Sequence, residues 1–580
     1  MAASASAEHY TEKMLRTLLV LLLALPLAAQ NISTFFKEAF EERLRDEPEF
    51  ATSVGRHDYD DRWNDWSKSG REQRRAHLEQ RLRQLSSFPQ ANLNPQDRLS
   101  ARLMDYLLRR QLESASVEDG LLRVTQQNGL HNLVYSVLDR MPARTPRDYQ
   151  NLLARLRGVP VYVDQNIALL DEAVARGLTQ PGMVVDLVAA QLNGQIAQDR
   201  NRTALLAAFR QFPAAIPAAE QASLRAQAED VYEHQFLPAW RKYRDYLTGT
   251  YLHNARAGIG LGSIRDGAHD YNILVRLYTT TNNTPEEIHK LGLGEVDRIE
   301  REMRAVLEQA GFSGTIQAFE RQLEAAPDQH FHDKEDMLVY CRNIAKSVEP
   351  RLPDLFQHFP GLLYGVRPIP EEREAATATN AEAPSPDYTT PGWMNLNTYQ
   401  PAHQVKYNKE ALVLHEAVPG HVFQLTIARQ LAGLPEFRRF YSNSAYVEGW
   451  GLYAESLGSA LGVYRDPASK FGQLASERFR AVRLVVDTGL HAMNWSRQQA
   501  IDYFKAHAPD QSLAEVDRYI SWPGQALSYK MGQLRIVELR KKTQQKLGAR
   551  FDIREFHDRI LRNGVLPLDL LQQQVEESLR

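Results

Sequence analysis

Through most of this chain apolar residues recur at the i, i+3 and i+4 spacing of an amphipathic helix, while the period-2 alternation of a half-buried strand is scarce. Leu103, Tyr106 and Leu107 show the helical spacing, as do Leu152, Leu153 and Leu156, with charged residues between them. The pattern predicts a mainly α fold, with successive helices from Ser33 to about Tyr251. Gly258–Gly262 (GIGLG) reads as a loop, because it lacks both the dinucleotide fingerprint and a strand–helix unit around it. Thr284-Pro285-Glu286-Glu287 predicts a helix start: threonine caps, proline takes the first helical position, and Glu287 closes a capping box. Glu371 to Pro391, rich in Ala, Thr, Glu and Pro, predicts an exposed loop. Trp393 to Tyr399 then predicts a strand of a small sheet. After Tyr407 the pattern is helical again.

A chain of 580 residues with 43% hydrophobic content has enough material for a full-sized core. A net charge of −3 leaves no basic field for nucleic acid. The single cysteine, Cys341, excludes an internal disulfide and any multi-cysteine zinc site, so metal ligands must come from the 17 histidines and the carboxylates. Near the N-terminus, Met14-Leu15-Arg16 precedes an apolar run from Leu18 to Leu27 and then Ala28-Ala29-Gln30. This is the layout of a signal peptide, with Met14 a candidate start and the run too short for a stable membrane anchor. The expected organisation is a signal peptide over 1–30, an N-terminal helical lobe over 31–255 and a C-terminal catalytic lobe over 256–580. An exported protein, periplasmic or secreted, follows from it.

The chemistry concentrates at Leu414-His415-Glu416-Ala417-Val418-Pro419-Gly420-His421. Neutral imidazole is the commonest zinc ligand, and a carboxylate beside it can take a proton from water at the metal. Two histidines sharing a metal on one helix usually stand four residues apart. Here they stand six apart, which turns the second about 120° away from the first on an unbroken helix. Proline at 419 removes an amide and crowds the carbonyl of residue 415, and Gly420 tolerates unusual dihedrals. A two-residue bulge would return His421 to an effective four-residue spacing, with the histidine nitrogens no more than about 5 Å apart. The alternative is a helix that ends at Pro-Gly and leaves two unrelated surface histidines.

Twenty-seven residues after His421, the segment Tyr446 to Glu455 (YVEGWGLYAE) sets Glu448 and Glu455 two turns apart on nearly one face. Its aromatic residues predict burial, and a buried carboxylate needs a partner such as a cation. One glutamate can bind metal while the other supports a histidine; a solvated helix face is the alternative.

Glu448 to Glu455 resembles the E-G-aromatic-x-x-Tyr-x-Glu helix of the aminopeptidase and leukotriene-hydrolase zincins, whose first glutamate is the zinc ligand. More closely, the C-terminal half resembles the bacterial domain-of-unknown-function family 885, marked by an H-E-A-x-P-G-H signature and regarded as zincin-like. The likeness includes Tyr407-Asn408-Lys409, His415 to Gln424, Arg483 to His491, Trp522 to Gln525 and Tyr529 to Gly532. Upstream, Asp266-Gly267 and Thr279 to Thr281 also fit. The resemblance implies a helical zincin-like metallopeptidase, with two lobes around a cleft and a small β-sheet beside the active-site helix. It implies one Zn2+ on His415, His421 and Glu448, with Glu416 as general base and Glu455 behind a histidine. Tyr529 and His491 are the candidates to stabilise the oxyanion, since related zincins place a tyrosine or histidine there. Asp487, one turn before His491, would orient its ring. Arg535 would bind a peptide carboxylate by its planar fork. The strand near Asn395 would pair with an extended peptide substrate. Competing readings are a zinc amidohydrolase or esterase on a non-peptide substrate, and a non-catalytic exported binding protein that keeps a vestigial metal site. His330, His332 and His403 are isolated and predict ordinary packing or surface roles.

Overall fold

The computed structural model describes residues 31–579 apart from Leu362, Ala376 and 386–388. The signal-peptide expectation therefore lies outside the described residues. The fold is mainly helical with one small sheet. The helices that position the chemistry or frame it are α1 (Ile32–Asp46), α2 (Lys68–Ser86), α3 (Pro95–Leu121), α4 (Pro285–Gln309), α5 (Lys409–Glu416), α6 (His421–Gln430), α7 (Ser444–Ser456), α8 (Pro467–His491) and α9 (Ser528–Leu547). α4 begins with the capping box read from the sequence: the Thr284 hydroxyl accepts from the Glu287 amide, and the Glu287 carboxylate accepts from the Thr284 amide.

Among the described residues the three strands are β1 (Tyr364–Pro368), β2 (Asn380–Glu382) and β3 (Gly392–Leu396), in the order β1-β3-β2. β3 pairs in parallel with β1 and antiparallel with β2. Alternate residues of β3, Gly392, Met394 and Leu396, are buried. Met394, Leu396 and Val366 pack with Val413 and Ala417, which sets the sheet against α5 and its end. The segment Glu371 to Pro391 is thus more than an exposed loop. It contributes β2 and a short helix, Glu371–Glu374, whose buried Glu374 accepts from Lys334 and Thr398.

Two of the cores run across residue 255, where the sequence suggests a division into 31–255 and 256–580. One cluster joins Trp63, Leu156, Trp240 and Tyr251 to Val296, Phe471, Val482 and Tyr519. Another joins Phe36, Phe40 and Leu108 to Leu414, Tyr446, Trp450 and Leu571. α1 reaches the C-terminal half directly: Phe36 packs on Phe437 and Phe40 stacks on Phe440.

Two glycines allow the closest helix approaches. A Cβ at Gly532 of α9 would lie 1.8 Å from the Ala445 carbonyl of α7, and a Cβ at Gly449 would lie 2.4 Å from the Gly532 Cα. α7 and α9 are therefore in backbone contact. α4, α8 and α9 meet at Lys530, a fully buried ammonium that donates to Glu477 (2.7 Å) and Gln533 (2.7 Å) and pairs with Glu295 (2.9 Å). A buried cation persists only when matched in this way.

Candidate metal centre

Between the two histidines the chain breaks instead of bulging. α5 ends at Glu416, Ala417 leaves helical geometry (φ −95°, ψ −95°), and a new helix, α6, begins at His421. The Val418–Pro419 bond is cis. The reason for the break is local. Pro419 has no amide to continue the α5 ladder, and residue 420 is pressed so tightly onto α5 that a Cβ would lie 1.8 Å from the His415 carbonyl oxygen. Only glycine fits. The expected bulge within one helix is thus corrected to two helices joined by a turn, with one histidine on each.

α7 fixes both the turn and the third side chain. Its N-cap, Asn443, accepts from the Tyr446 amide, satisfying one of the free donors of the first turn. The Trp450 indole donates to the Pro419 carbonyl at 2.8 Å and so clamps the turn from the helix that carries Glu448. His415 Nε2 and His421 Nε2 each lie 3.3 Å from the same oxygen, Glu448 Oε2. One ligand atom from each of His415, His421 and Glu448 falls within 4.8 Å of the others. Glu455, two turns after Glu448, receives His415 Nδ1 at 2.8 Å. The sequence had placed these four side chains together.

Two further residues complete the centre and were not singled out in the sequence. A Cβ on Gly451 would sit 2.8 Å from His415 Cε1 and Nε2 and 2.9 Å from His421 Cε1, so this glycine clears the space in which the rings converge. The signal was present: Gly451 lies three residues after Glu448 and four before Glu455, on their face of the helix. Arg480 of α8 places Nη2 3.9 Å from Glu455 Oε1. Its signal was an arginine pair, Arg480 and Arg483, on a helix buried along nearly its whole length.

The electrostatics follow from crowded carboxylates and rings. Burial alone would depress His415, but Glu448 and Glu455 outweigh it and push the imidazole up to about 10. Burial opposes ionisation of Glu448, yet the two imidazoles hold its carboxyl well below the usual range. Glu416 is half-buried; burial raises its carboxyl, against the pull of both imidazoles and Arg480. Three carboxylates and one guanidinium surround the rings, a net of about −2 when the imidazoles are neutral. One divalent cation balances that charge.

The other expected site residues go elsewhere. His491 is fully buried and both ring nitrogens serve backbone: Nδ1 accepts from the Leu261 amide (3.1 Å) and Nε2 donates to the Tyr519 carbonyl (2.9 Å). Leu261 belongs to the GIGLG loop, which lies on the end of α8; a Cβ at Gly260 would lie 1.8 Å from the Leu490 carbonyl oxygen. No ring nitrogen remains for an oxyanion, and the catalytic role for His491 is withdrawn. Asp487 does not orient that ring. It accepts from the Tyr271 hydroxyl (2.6 Å) and the Gly524 amide (3.0 Å), and burial pushes it up to about 7. Arg535 is spent on the C-terminal helix, donating to Asp569 (3.0 Å) and Gln572 (2.6 Å). Asn395 lies on the central strand, so β1 and β2 already occupy both edges and no peptide can add there. Its side chain accepts from Arg367 (2.7 Å) and donates to Asn380 (3.1 Å). Tyr529 is half-exposed, with the Arg483 guanidinium 4.4 Å over its ring. A cavity of about 530 Å3 between α1, α2 and α3, walled by Phe40, Trp66, Met104 and Phe437 among others, contains none of the three clustered ligands.

Comparison with known proteins sets this geometry in context. A "putative lipoprotein" from Colwellia psychrerythraea superposes with a TM-score of 0.89 at 26% sequence identity, covering 94% of this chain and 98% of its own. A "putative lipoprotein of unknown function" from Shewanella oneidensis matches with a TM-score of 0.75 at 18% identity, covering 94% and 99%. The latter likeness is one of fold. No curated protein matches the chain. Residues 48–575 match a family described as "Bacterial protein of unknown function (DUF885)", and the chain belongs to that family.

Proposed function

We propose that the protein hydrolyses peptide bonds, with one zinc ion held by His415, His421 and Glu448 and with Glu416 as general base. The observation that carries this reading is the pair of 3.3 Å separations from Glu448 Oε2 to the two Nε2 atoms. Ligands of a tetrahedral zinc, bound at about 2.0–2.1 Å, stand about 3.3–3.4 Å from one another. The donor set fits in kind as well as in distance: two imidazoles, a carboxylate and a surrounding charge that calls for a dication. Glu455 accepts a hydrogen bond from His415 Nδ1–H and leaves the Nε2 lone pair for a metal.

When bound, zinc supplies the Lewis acidity that makes water a nucleophile near neutral pH. Glu416 takes the proton of the attacking water and delivers it to the departing amine nitrogen. Tyr529 is the remaining candidate donor to the developing oxyanion, because its ring is held in place by Arg483 while its surface is partly open. The sheet packed on α5 supports a zincin-like arrangement, with the substrate between two lobes. Export belongs to the same reading: the Colwellia relative is described as a "putative lipoprotein", and Leu18 to Leu27 has the length of a signal-peptide core.

Metal analysis combined with a peptide-library assay tests the proposal. Wild type is expected to bind one zinc per chain and to cleave, while Glu416→Gln binds zinc and does not. Cleavage undiminished in Glu416→Gln refutes the assigned base, and a folded protein that takes up no zinc refutes the site.

A further inference from the structure

The two histidines of the candidate centre are supported unequally. His415 Nδ1 bonds to Glu455 at 2.8 Å, whereas His421 Nδ1 is buried with no partner among the described residues. Nε2 of His421 faces Glu448. A metal bound there takes the Nε2 lone pair, so the single proton of the neutral ring sits on Nδ1. Without an acceptor that N–H fixes neither the tautomer nor the plane of the ring, and its burial is costly.

One side chain on the same helix has the matching deficit. Gln424 is 1% exposed, and neither its amide oxygen nor its amide nitrogen has a partner among the described residues. It lies three residues after His421 on α6, a spacing that makes two side chains neighbours, with Cβ atoms about 5–6 Å apart. Side chains on a helix lean toward its N-terminus, and His421 is the first residue of α6. The Gln424 amide thus leans toward the turn that carries the ring. Two buried, unbonded polar groups one turn apart can answer each other through the side-chain torsions of Gln424 alone.

Charge favours an amide over a second carboxylate in this position. Three carboxylates and one guanidinium already leave a net of about −2 around neutral imidazoles, which one dication balances. Another carboxylate behind His421 would bury an unmatched charge. An amide oxygen accepts the same proton and adds none.

We propose that Gln424 is a positioning residue for zinc: its amide oxygen accepts from His421 Nδ1–H in the metal-bound protein, as Glu455 accepts from His415. The inference rests on the zinc site proposed above and adds the second of its two ring supports. Gln424 touches neither the ion nor the substrate and acts only through His421.

The test compares wild type with Gln424→Met, which keeps the length of the side chain and removes its polar atoms. Zinc affinity, read by competition with a chromophoric chelator, should fall about 10-fold, the lower end of the usual range because the lost acceptor is neutral. The metal-free protein should melt no lower than wild type, since the variant deletes an amide that is unbonded in that state. A merely structural glutamine would give the opposite pair of results. Cobalt in place of zinc gives each bound ring N–H its own paramagnetically shifted proton signal. Two slowly exchanging signals are expected in wild type and one in Gln424→Met. Gln424→Glu, which keeps an acceptor, should bind zinc at least as tightly as wild type. Unchanged zinc affinity in Gln424→Met overturns the proposal, as does a metal-free Gln424→Met protein that melts well below wild type, or a Gln424→Glu protein that binds as weakly as Gln424→Met. The two readings fail separately. Zinc uptake by wild type with no effect of Gln424→Met sinks the positioning role alone, and the expected affinities without peptide cleavage sink hydrolysis alone. A folded wild type that takes up no zinc sinks both.

Discussion

Gly451→Ala is the sharpest perturbation of the candidate metal centre. The added Cβ would stand 2.8 Å from two atoms of the His415 ring and 2.9 Å from one of His421, where carbon contacts are comfortable only at about 3.5–4.0 Å. Each ring would have to retreat by about 0.7 Å, and His415 cannot do so without giving up its 2.8 Å bond to Glu455. Metal sites tolerate ligand displacements of about 0.2 Å. Disturbing one supporting contact typically costs 10–100-fold in affinity. With two ligands displaced, zinc binding should weaken by at least about 100-fold, or about 2.7 kcal/mol. The metal-free fold should suffer less, because alanine is favoured over glycine inside a helix by up to about 1 kcal/mol, which offsets part of an overpacking cost of about 1–3 kcal/mol. Zinc affinity by competition with a chromophoric chelator, paired with thermal melts with and without zinc, reads both quantities. Gly433→Ala, where an added Cβ meets nothing within 4 Å, serves as control. Wild-type zinc affinity in a folded Gly451→Ala protein would refute the placement of the two rings.

Glu455→Ala removes the acceptor of the His415 Nδ1 proton and the carboxylate nearest Arg480; zinc affinity should fall about 10–100-fold, read with the same chelator. His491→Leu should destabilise the protein by about 2–4 kcal/mol, since it leaves the Leu261 amide and the Tyr519 carbonyl without partners. Its effect should appear in denaturant unfolding, with the kcat/KM of the folded protein changed less than about threefold; a large kinetic loss at unchanged stability would reinstate His491 as catalytic. Burial pulls His131 down to about 4 and both His491 and His557 to about 3, each from 6.5. These groups bind protons more readily unfolded, so their stabilisation is complete above about pH 6.5 and is lost as the pH falls toward the folded values. Each of His491 and His557 should contribute about 3 kcal/mol of loss between pH 7 and pH 4, and His557→Gln should flatten that slope in melts across the range.

The helical class was legible because amphipathic spacing is a property of neighbours in the chain. The Thr284–Glu287 box was legible for the same reason, as were Glu448 and Glu455 on one helix face. His415 and His421 do come together, though not by the bulge that their spacing suggests. Pro419 and Gly420 did mark a disturbance, but the structure resolves it as two helices, because residue 420 rests on the His415 carbonyl. What failed depended on distant segments. The fate of His491 is decided by a loop some 230 residues earlier, that of Arg535 by the last helix, and that of Asn395 by strands on both sides. Periodicity carries no trace of such pairings.

The turn at 417–420 also changes what a metal would do mechanically. With one histidine in the last turn of α5 and the other at the first residue of α6, coordination bridges a joint between two rods. Glu448 and the Trp450 indole brace that joint from a third rod, α7. Ion binding is then a constraint on the angle between helices, and ligand loss on either side releases it. Cross-linking α5 to α6 should consequently substitute for part of the rigidity the ion confers while restoring none of its chemistry.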